Sequence, residues 1–247
     1  MKSSISVVII AKDAQDTIQT TLKSLSAFDE VILYLNDSSD NTGLIARSFG
    51  NVKIVEGAFL GFGDTKNHAA SFASHDWILS LDSDEELLPP LVEEITALVL
   101  DNPQKLYIIK RENYFLDKHI KHSGWGKDYL ARLYHRKTHQ FNSNKVHEAI
   151  AMDDKSIKVV LQNPFKHYAI TDINQFLQKI IRYSDLASHD KKTCSFIVVI
   201  AKAKFAFFKS YFFQLGFLDG WRGFVIAIAN FIGKFFRYTK RYINCKK

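Results

Sequence analysis

The sequence predicts an α/β protein, a mostly parallel sheet flanked by helices and followed by a helical C-terminal extension. Three observations carry this. Over the first hundred residues, short apolar runs of strand character alternate with segments whose apolar residues recur at helical spacing, the pattern of parallel strands joined by crossover helices. An aspartate pair, Asp82 and Asp84, follows one of those runs, Trp77–Leu81, at its C-terminal end. From Ile173 onward the spacing is helical to the end.

Ile5–Ile10 reads as the first strand, too short for the apolar core and cleavage site of a signal peptide. Ile18, Leu22 and Leu25 then share a helical face. Val31–Leu35 is a second strand, and a helix starting near Asp40 turns Ile45 and Phe49 inward. Val52–Val55 is a third. After a loop from Gly57 to Gly63, a helix over Asp64–Ala73 leads to Trp77–Leu81, whose unbroken apolar character suits a buried central strand. Pro89-Pro90 opens a helix, proline being tolerated in a first turn, with Leu91, Ile95, Leu98 and Val99 on one face. From Lys105 to Leu161 the pattern becomes short strands: Tyr107–Ile109, Ala131–His135 and Ile157–Leu161. In the extension, Phe205, Phe208 and Phe212 fall on one helical face and Lys202 and Lys209 on another.

The 247 residues are 47% hydrophobic and 24% charged, a globular composition, with 20 Phe against 2 Met and 4 Pro. Net charge is +7, but from Phe196 onward ten Lys or Arg face a single acid, Asp219. Only the tail is basic. Its lysines and arginines interrupt every apolar run before the ~20 residues a membrane-spanning helix needs. Phenylalanines and basic residues together form an interfacial signature, suited to an anionic membrane surface. The alternative is that the rings pack on the rest of the chain or on a second subunit. Cys194 and Cys245 show neither metal-ligand spacing nor a disulfide framework, the usage of a reducing compartment.

Asp82-Ser83-Asp84 is the most informative feature, because open α/β sheets bind ligands at the carboxyl ends of their strands. Two carboxylates there suit Mg²⁺ or Mn²⁺, which keeps substrate phosphates among its ligands. Asp84 binds the ion directly, Asp82 directly or through a nucleotide's ribose. The bland alternative is that both cap the next helix, with Glu85 and Glu86 in its first turn. Ala11-Lys12-Asp13 and the segment from Asn36 to Thr42 share that edge and would form a nucleotide pocket. Asp13 either hydrogen-bonds a pyrimidine ring or caps a helix; for Asp40 capping is the better reading. Lys66 either neutralises a diphosphate or lies exposed on its helix.

The order of Ala11-Lys12-Asp13, NDSSDNT, GFGDTKNHA and LDSDEEL resembles family 2 glycosyltransferases. The resemblance implies a GT-A fold, a Rossmann-like sheet, and transfer of a sugar from a UDP-sugar donor. Gly124-Trp125, Arg132-Leu133-Tyr134, Val146-His147-Glu148, His167-Tyr168 and the FxDGxxG-like Phe217–Gly223 are similar to a lipopolysaccharide-core glucosyltransferase subgroup. That implies a hexose, a lipid-linked oligosaccharide acceptor and a peripheral position on the cytoplasmic face of the bacterial inner membrane. It assigns residues 1–170 to a catalytic domain, with a nucleotide-binding half to residue 100 and an acceptor half from 101, and 171–247 to the extension. One departure is Leu35-Asn36-Asp37, where relatives carry aspartate, a small residue and glycine; Asn36 or Asp37 would contact the base.

An inverting transfer needs a group to take the acceptor hydroxyl's proton. Glu148 is the first choice of base and Asp128 the second. His147 completes the cation's shell, touches the diphosphate, or is a surface-strand histidine. Arg132 binds an anionic group or joins Arg136 and Lys137 on a solvated strand face. A sugar nucleotidyltransferase would need a glycine-rich loop after strand one, and a dinucleotide oxidoreductase the G-x-G-x-x-G fingerprint there; both are missing. A non-catalytic protein using the basic aromatic tail on membrane or nucleic acid leaves the first half unexplained, so no nucleic-acid partner is expected.

Overall fold

A computed structural model describes residues 5–143, 148–186 and 195–246. The chain divides into two compact units, Met1–Arg111 with Asp128–His167, and Glu112–Lys127 with Tyr168–Lys247. In chain order the elements are β1 (Ile5–Ala11), α1 (Ile18–Lys23), β2 (Glu30–Leu35), α2 (Thr42–Ala46), β3 (Val52–Glu56), α3 (Phe62–Ser71), β4 (Trp77–Asp82), β5 (Glu85–Leu87) and α4 (Pro89–Thr96). Then come β6 (Lys105–Phe115), β7 (Lys118–His119), β8 (Tyr129–His135), β9 (Ile157–Val160), β10 (Phe165–Ile170), α5 (Ile173–Leu186), α6 (Phe196–Phe208) and α7 (Gly220–Lys246).

In the first unit, strand order is β3-β2-β1-β4-β8-β6, continuing through β10 to β5. The first four strands are parallel, and β8 runs antiparallel to β4 and β6. Alternation along each strand sorts the core into two layers. Val7 and Ile9 of β1, Leu33 of β2 and Leu79 of β4 pack with Ile18, Leu22 and Leu25 and with Leu91 and Ile95 of α4. Val8, Ile32, Tyr34 and Ile78 pack with Ala69 and Ala70 of α3 on the opposite face. The same parity puts Asp82 on the α3 side of β4.

Several elements differ from the sequence expectation. Residues 85–87 after the aspartate pair form β5 rather than a helical first turn, antiparallel to Phe165, Lys166 and His167. Helix α4 begins at Pro89 without a side-chain cap, so neither Asp82 nor Asp84 caps it. It ends at Thr96, and Val99 is exposed instead of inward. Strand β6 is eleven residues long where three were expected: pairing with β8 runs on to Lys110, and Tyr114 and Phe115 at its far end pair with β7. Asp40 accepts Thr42 N–H at 3.0 Å in a turn ahead of α2, whose N-cap is Asn41.

Helix α3 clamps residues 141–143. Asn67 accepts Phe141 N–H and donates to Phe141 C=O, both at 2.9 Å. Ser143 donates to Asp64 at 2.8 Å, and Phe141 pairs with Ile150 in an antiparallel bridge. Gly63 permits the close approach: a Cβ there would lie 1.9 Å from Asn142 O.

The second unit holds β7, α5, α6, a π-turn Lys209–Phe213, a 3₁₀ turn Gly216–Asp219 and the 27-residue α7. Its anchor is Asp219, 5% exposed, which accepts the Lys121 and His122 N–H groups and the Ser123 hydroxyl at 3.1–3.2 Å. Among the described residues no helix is long and apolar enough to cross a membrane. No described cysteine is free, Cys245 being disulfide-bonded, where the sequence showed no disulfide framework.

Two stability outcomes follow from these contacts. Glu30 accepts from the Ser6 hydroxyl and from Ser74 N–H and Oγ at 2.8 and 2.7 Å. Burial pushes its carboxyl up, but those hydrogen bonds and His75 outweigh it and hold it below its ordinary value of 4.5. Glu30→Ala should cost about 2 kcal/mol in urea unfolding. The deficit should be full above pH 4.5 and shrink as pH falls through the lowered native value. Gly63→Ala should cost about 1–3 kcal/mol by overpacking. Gly50→Ala, which meets nothing within 4 Å, should be close to neutral in the same assay.

Candidate active site

Chain order reverses between β1 and β4, which makes the carboxyl edge of these two strands the topological switch point where open α/β sheets bind ligands. Ile10 pairs with Asp82 and Ala11 with Leu35, so Ala11–Asp13, Asn36–Asp37 and Asp82–Asp84 meet at this one edge. Ala11 is buried and its carbonyl accepts Asn36 N–H at 3.1 Å. Asn36 is buried, whereas Lys12, Asp13 and Asp37 are exposed. Asp13 caps no helix. Its Oδ1 accepts Ser39 N–H at 2.8 Å and its own N–H donates to Ser38 Oγ at 2.8 Å, tying the loop after β1 to the loop after β2. Asp13 and Asp37 both hold positive φ, 49° and 55°, a conformation that costs an L-residue about 1–2 kcal/mol.

Asp82 is the hub. Lys66 Nζ reaches its Oδ1 at 2.8 Å and Arg132 Nη2 its Oδ2 at 2.8 Å. Lys66 is 3% exposed and Arg132 4%, so neither lies on the solvated face that was one reading of each. Arg136 is separate, bound to Asp76 and to the Ala70 and Ala73 carbonyls. Lys66 also meets Glu148 Oε1 at 3.2 Å and lies over the Phe141 ring. Arg132 extends the network to Glu85, and Arg111 bridges Glu85 at 3.6 Å and Asp128 at 2.8 Å. The Arg132 Nε–H is buried and has no hydrogen-bond partner among the described residues.

Burial pushes the Asp82 carboxyl up, but Arg132 and Lys66 outweigh it and hold it well below the usual range. Glu85 goes the other way: burial, with Asp82 and Asp84 adding, raises it to about 7 against Arg132 and His167. Two carboxylates three residues apart therefore carry different charge near neutrality. Arg132 is held protonated: burial disfavours its charge, and Asp82 and Glu85 more than compensate.

Asp84 has His167 Nε2 3.5 Å from its Oδ2, and both act on Glu85. The β5–β10 pairing brings the two together, and Thr21 Oγ1 fixes the turn by donating to Ser83 C=O at 3.0 Å. Among the described residues no three His, Cys, Asp or Glu side chains converge to hold a metal alone. An oxygen and an imidazole nitrogen, with diphosphate oxygens and water completing the shell, still suit Mg²⁺ or Mn²⁺. His147, expected at this ion, lies outside the described residues.

Sequence reading missed Arg111, Glu85 and His167 as members of the site. Glu85 entered only in the alternative reading, as a residue of a helical first turn, and Arg111 carried no local signal. His167 stood in a recognised His-Tyr pair whose place became visible only through β10.

The family model for glycosyl transferase family 2 matches residues 6–169. An uncharacterised glycosyltransferase of Rickettsia prowazekii is 30% identical over 96% of this chain and 86% of its own, and one of Rickettsia conorii is 30% identical over 96% and 89%. Among solved structures, Staphylococcus aureus TarS is 17% identical over 95% of this chain and 81% of its own, with a TM-score of 0.45. Glucosyl-3-phosphoglycerate synthase of Mycobacterium tuberculosis, solved with Mn²⁺, UDP and glucosyl-3-phosphoglycerate, is 23% identical over 44% of each chain, with a TM-score of 0.37. On the family match and on the full-length similarity to the rickettsial proteins, this α/β chain of GT-A fold belongs to glycosyltransferase family 2.

Proposed function

We propose that the protein is an inverting, metal-dependent hexosyltransferase. It moves glucose from UDP-glucose to a lipid-linked saccharide of the lipopolysaccharide or lipooligosaccharide core, at the cytoplasmic face of the inner membrane. The observation that carries the reading is the Asp82 hub at the switch point, an aspartate kept ionised between two buried cations. Asp84 follows it beside His167. The sugar and the acceptor rest on the sequence resemblance.

In this reading the residues from Ala11 to Asp13, with Asn36 and Asp37, receive the nucleoside, and Asp82 takes its ribose hydroxyls or the metal. Asp84 and His167 would hold Mg²⁺ or Mn²⁺, which when bound neutralises charge developing on the diphosphate. Lys66 adds positive charge at the same place; on turning toward phosphate it releases Glu148. Glu148 takes the acceptor hydroxyl's proton as the acceptor oxygen bonds to the sugar's anomeric carbon. The bond from that carbon to the diphosphate oxygen breaks on the opposite face, and UDP leaves with the electron pair. Asp128 is the weaker candidate for the base, since Arg111 Nε and Nη2 both donate to one of its oxygens at 2.8 Å.

Calorimetry with a panel of nucleotide sugars tests the donor side. UDP-glucose should bind with Mn²⁺, lose binding in EDTA, and fail to bind Asp84→Ala and His167→Ala. Preference for another sugar would overturn the glucose assignment, and no binding by any nucleotide sugar would overturn the donor site. Glu148→Gln should keep metal-dependent donor binding while turnover falls about 10²–10⁴-fold. Full turnover in that variant would remove Glu148 from the mechanism.

A further inference from the structure

The second unit carries a surface that sugar transfer does not use. Over residues 205–224, joining α6 to α7, nine large apolar side chains stand exposed, among them Phe205, Phe208, Phe212, Leu218 and Trp221, with Phe213 at 75%. They are not scattered. Ring contacts of 5.2–6.3 Å run from Phe208 to Phe212, from Phe212 to Tyr211, and from Tyr211 to Phe217 and Phe224, making one continuous aromatic patch. A contiguous exposed patch of this kind marks an interaction surface.

Charge identifies the occupant. From residue 196 to 246 the one acid is Asp219, and it is buried against the backbone of residues 121–123. Exposed charge contributed by this segment is therefore all positive. Arg222 and Lys240 pair with Asp117 and Asp185. Lys202, Lys204, Lys209 and Lys234 are exposed and make no ion pair among the described residues. Lys209 sits in the π-turn between Phe208 and Ser210, inside the aromatic patch. The Lys234 ammonium is pushed down by partial desolvation and then by Arg237, Arg241 and Lys209, so these cations share one field. A protein partner matches a mosaic of both signs; apart from the exposed Asp117 paired with Arg222, the rings of this segment are accompanied by positive charge, which matches an anionic interface.

We propose that residues 205–224, with Lys202 and Lys234, are a docking surface for the headgroup layer of an anionic lipid bilayer. Phe212, Phe213, Leu218 and Trp221 enter the headgroup–acyl boundary while the lysines meet lipid phosphates. Lys202 and Lys209 supply attraction that salt screens; the rings supply burial that salt does not weaken. This deepens the lipid-linked reading of the acceptor. Vesicle binding is measured without nucleotide sugar, so its failure is distinguishable from failure of the donor chemistry.

The test is flotation of the full chain with phosphatidylcholine vesicles, with and without phosphatidylglycerol. The protein should float with the anionic vesicles, less so as salt rises, and Trp221 emission should shift to the blue, a shift absent in Trp221→Phe. K202E/K209E should weaken binding about thirtyfold or more. F213S/L218S should abolish it while keeping the wild-type melting temperature, as substitutions at exposed positions should. Three outcomes would overturn the proposal: no flotation with anionic vesicles, flotation unchanged in both double variants, or a soluble dimer that F213S/L218S dissociates, which would make a second copy the occupant.

Discussion

The arrangement around Asp82 depends on one electrostatic constraint: a carboxylate at the end of a buried strand must be paired, or it will be neutral. Lys66 from α3 and Arg132 from β8 provide that pairing, and both are drawn out of water to do so. Paired ions inside a protein are seldom the most stable solution, since well-packed apolar residues of similar volume often serve better. Their concentration at the switch point is what a site for an anionic ligand requires, and it explains why charge accumulates where the sheet otherwise buries apolar side chains.

Neighbouring elements serve that constraint. Strand parity turns Asp82 toward α3, where Lys66 waits, and away from the layer containing Leu79 and Leu81. The α3 helix in turn grips residues 141–142 through Asn67 and the bare backbone of Gly63, and its Lys66 lies 3.2 Å from the candidate base Glu148. Strand β5, only three residues long, has a comparable role: by pairing with β10 it brings His167 beside Asp84 and buries Glu85 beneath Arg132.

The second unit solves a different problem. It buries its one C-terminal acid as a structural clasp on the 121–123 backbone and leaves rings and lysines outside. Apolar area held against water costs roughly 25 cal/mol per Å², so a persistent patch of stacked aromatics is costly until something covers it.

The sequence alone determined the alternation of strands and helices, the buried character of β1, β2 and β4, and the place of Asp82 at a strand end. These follow from periodicity and from local chemistry that a chain cannot hide. It also supported both readings of Lys66, Arg132 and Asp84, because charge on a residue does not say whether its side chain faces water. Only the tertiary structure decided that. It buried Lys66 and Arg132 on one carboxylate, turned residues 85–87 into a strand by pairing them with residues eighty positions away, and recruited Arg111 through β6. Such choices are made by contacts distant in sequence, whose energies exceed any local preference of Glu85 for a helix or of Arg132 for solvent.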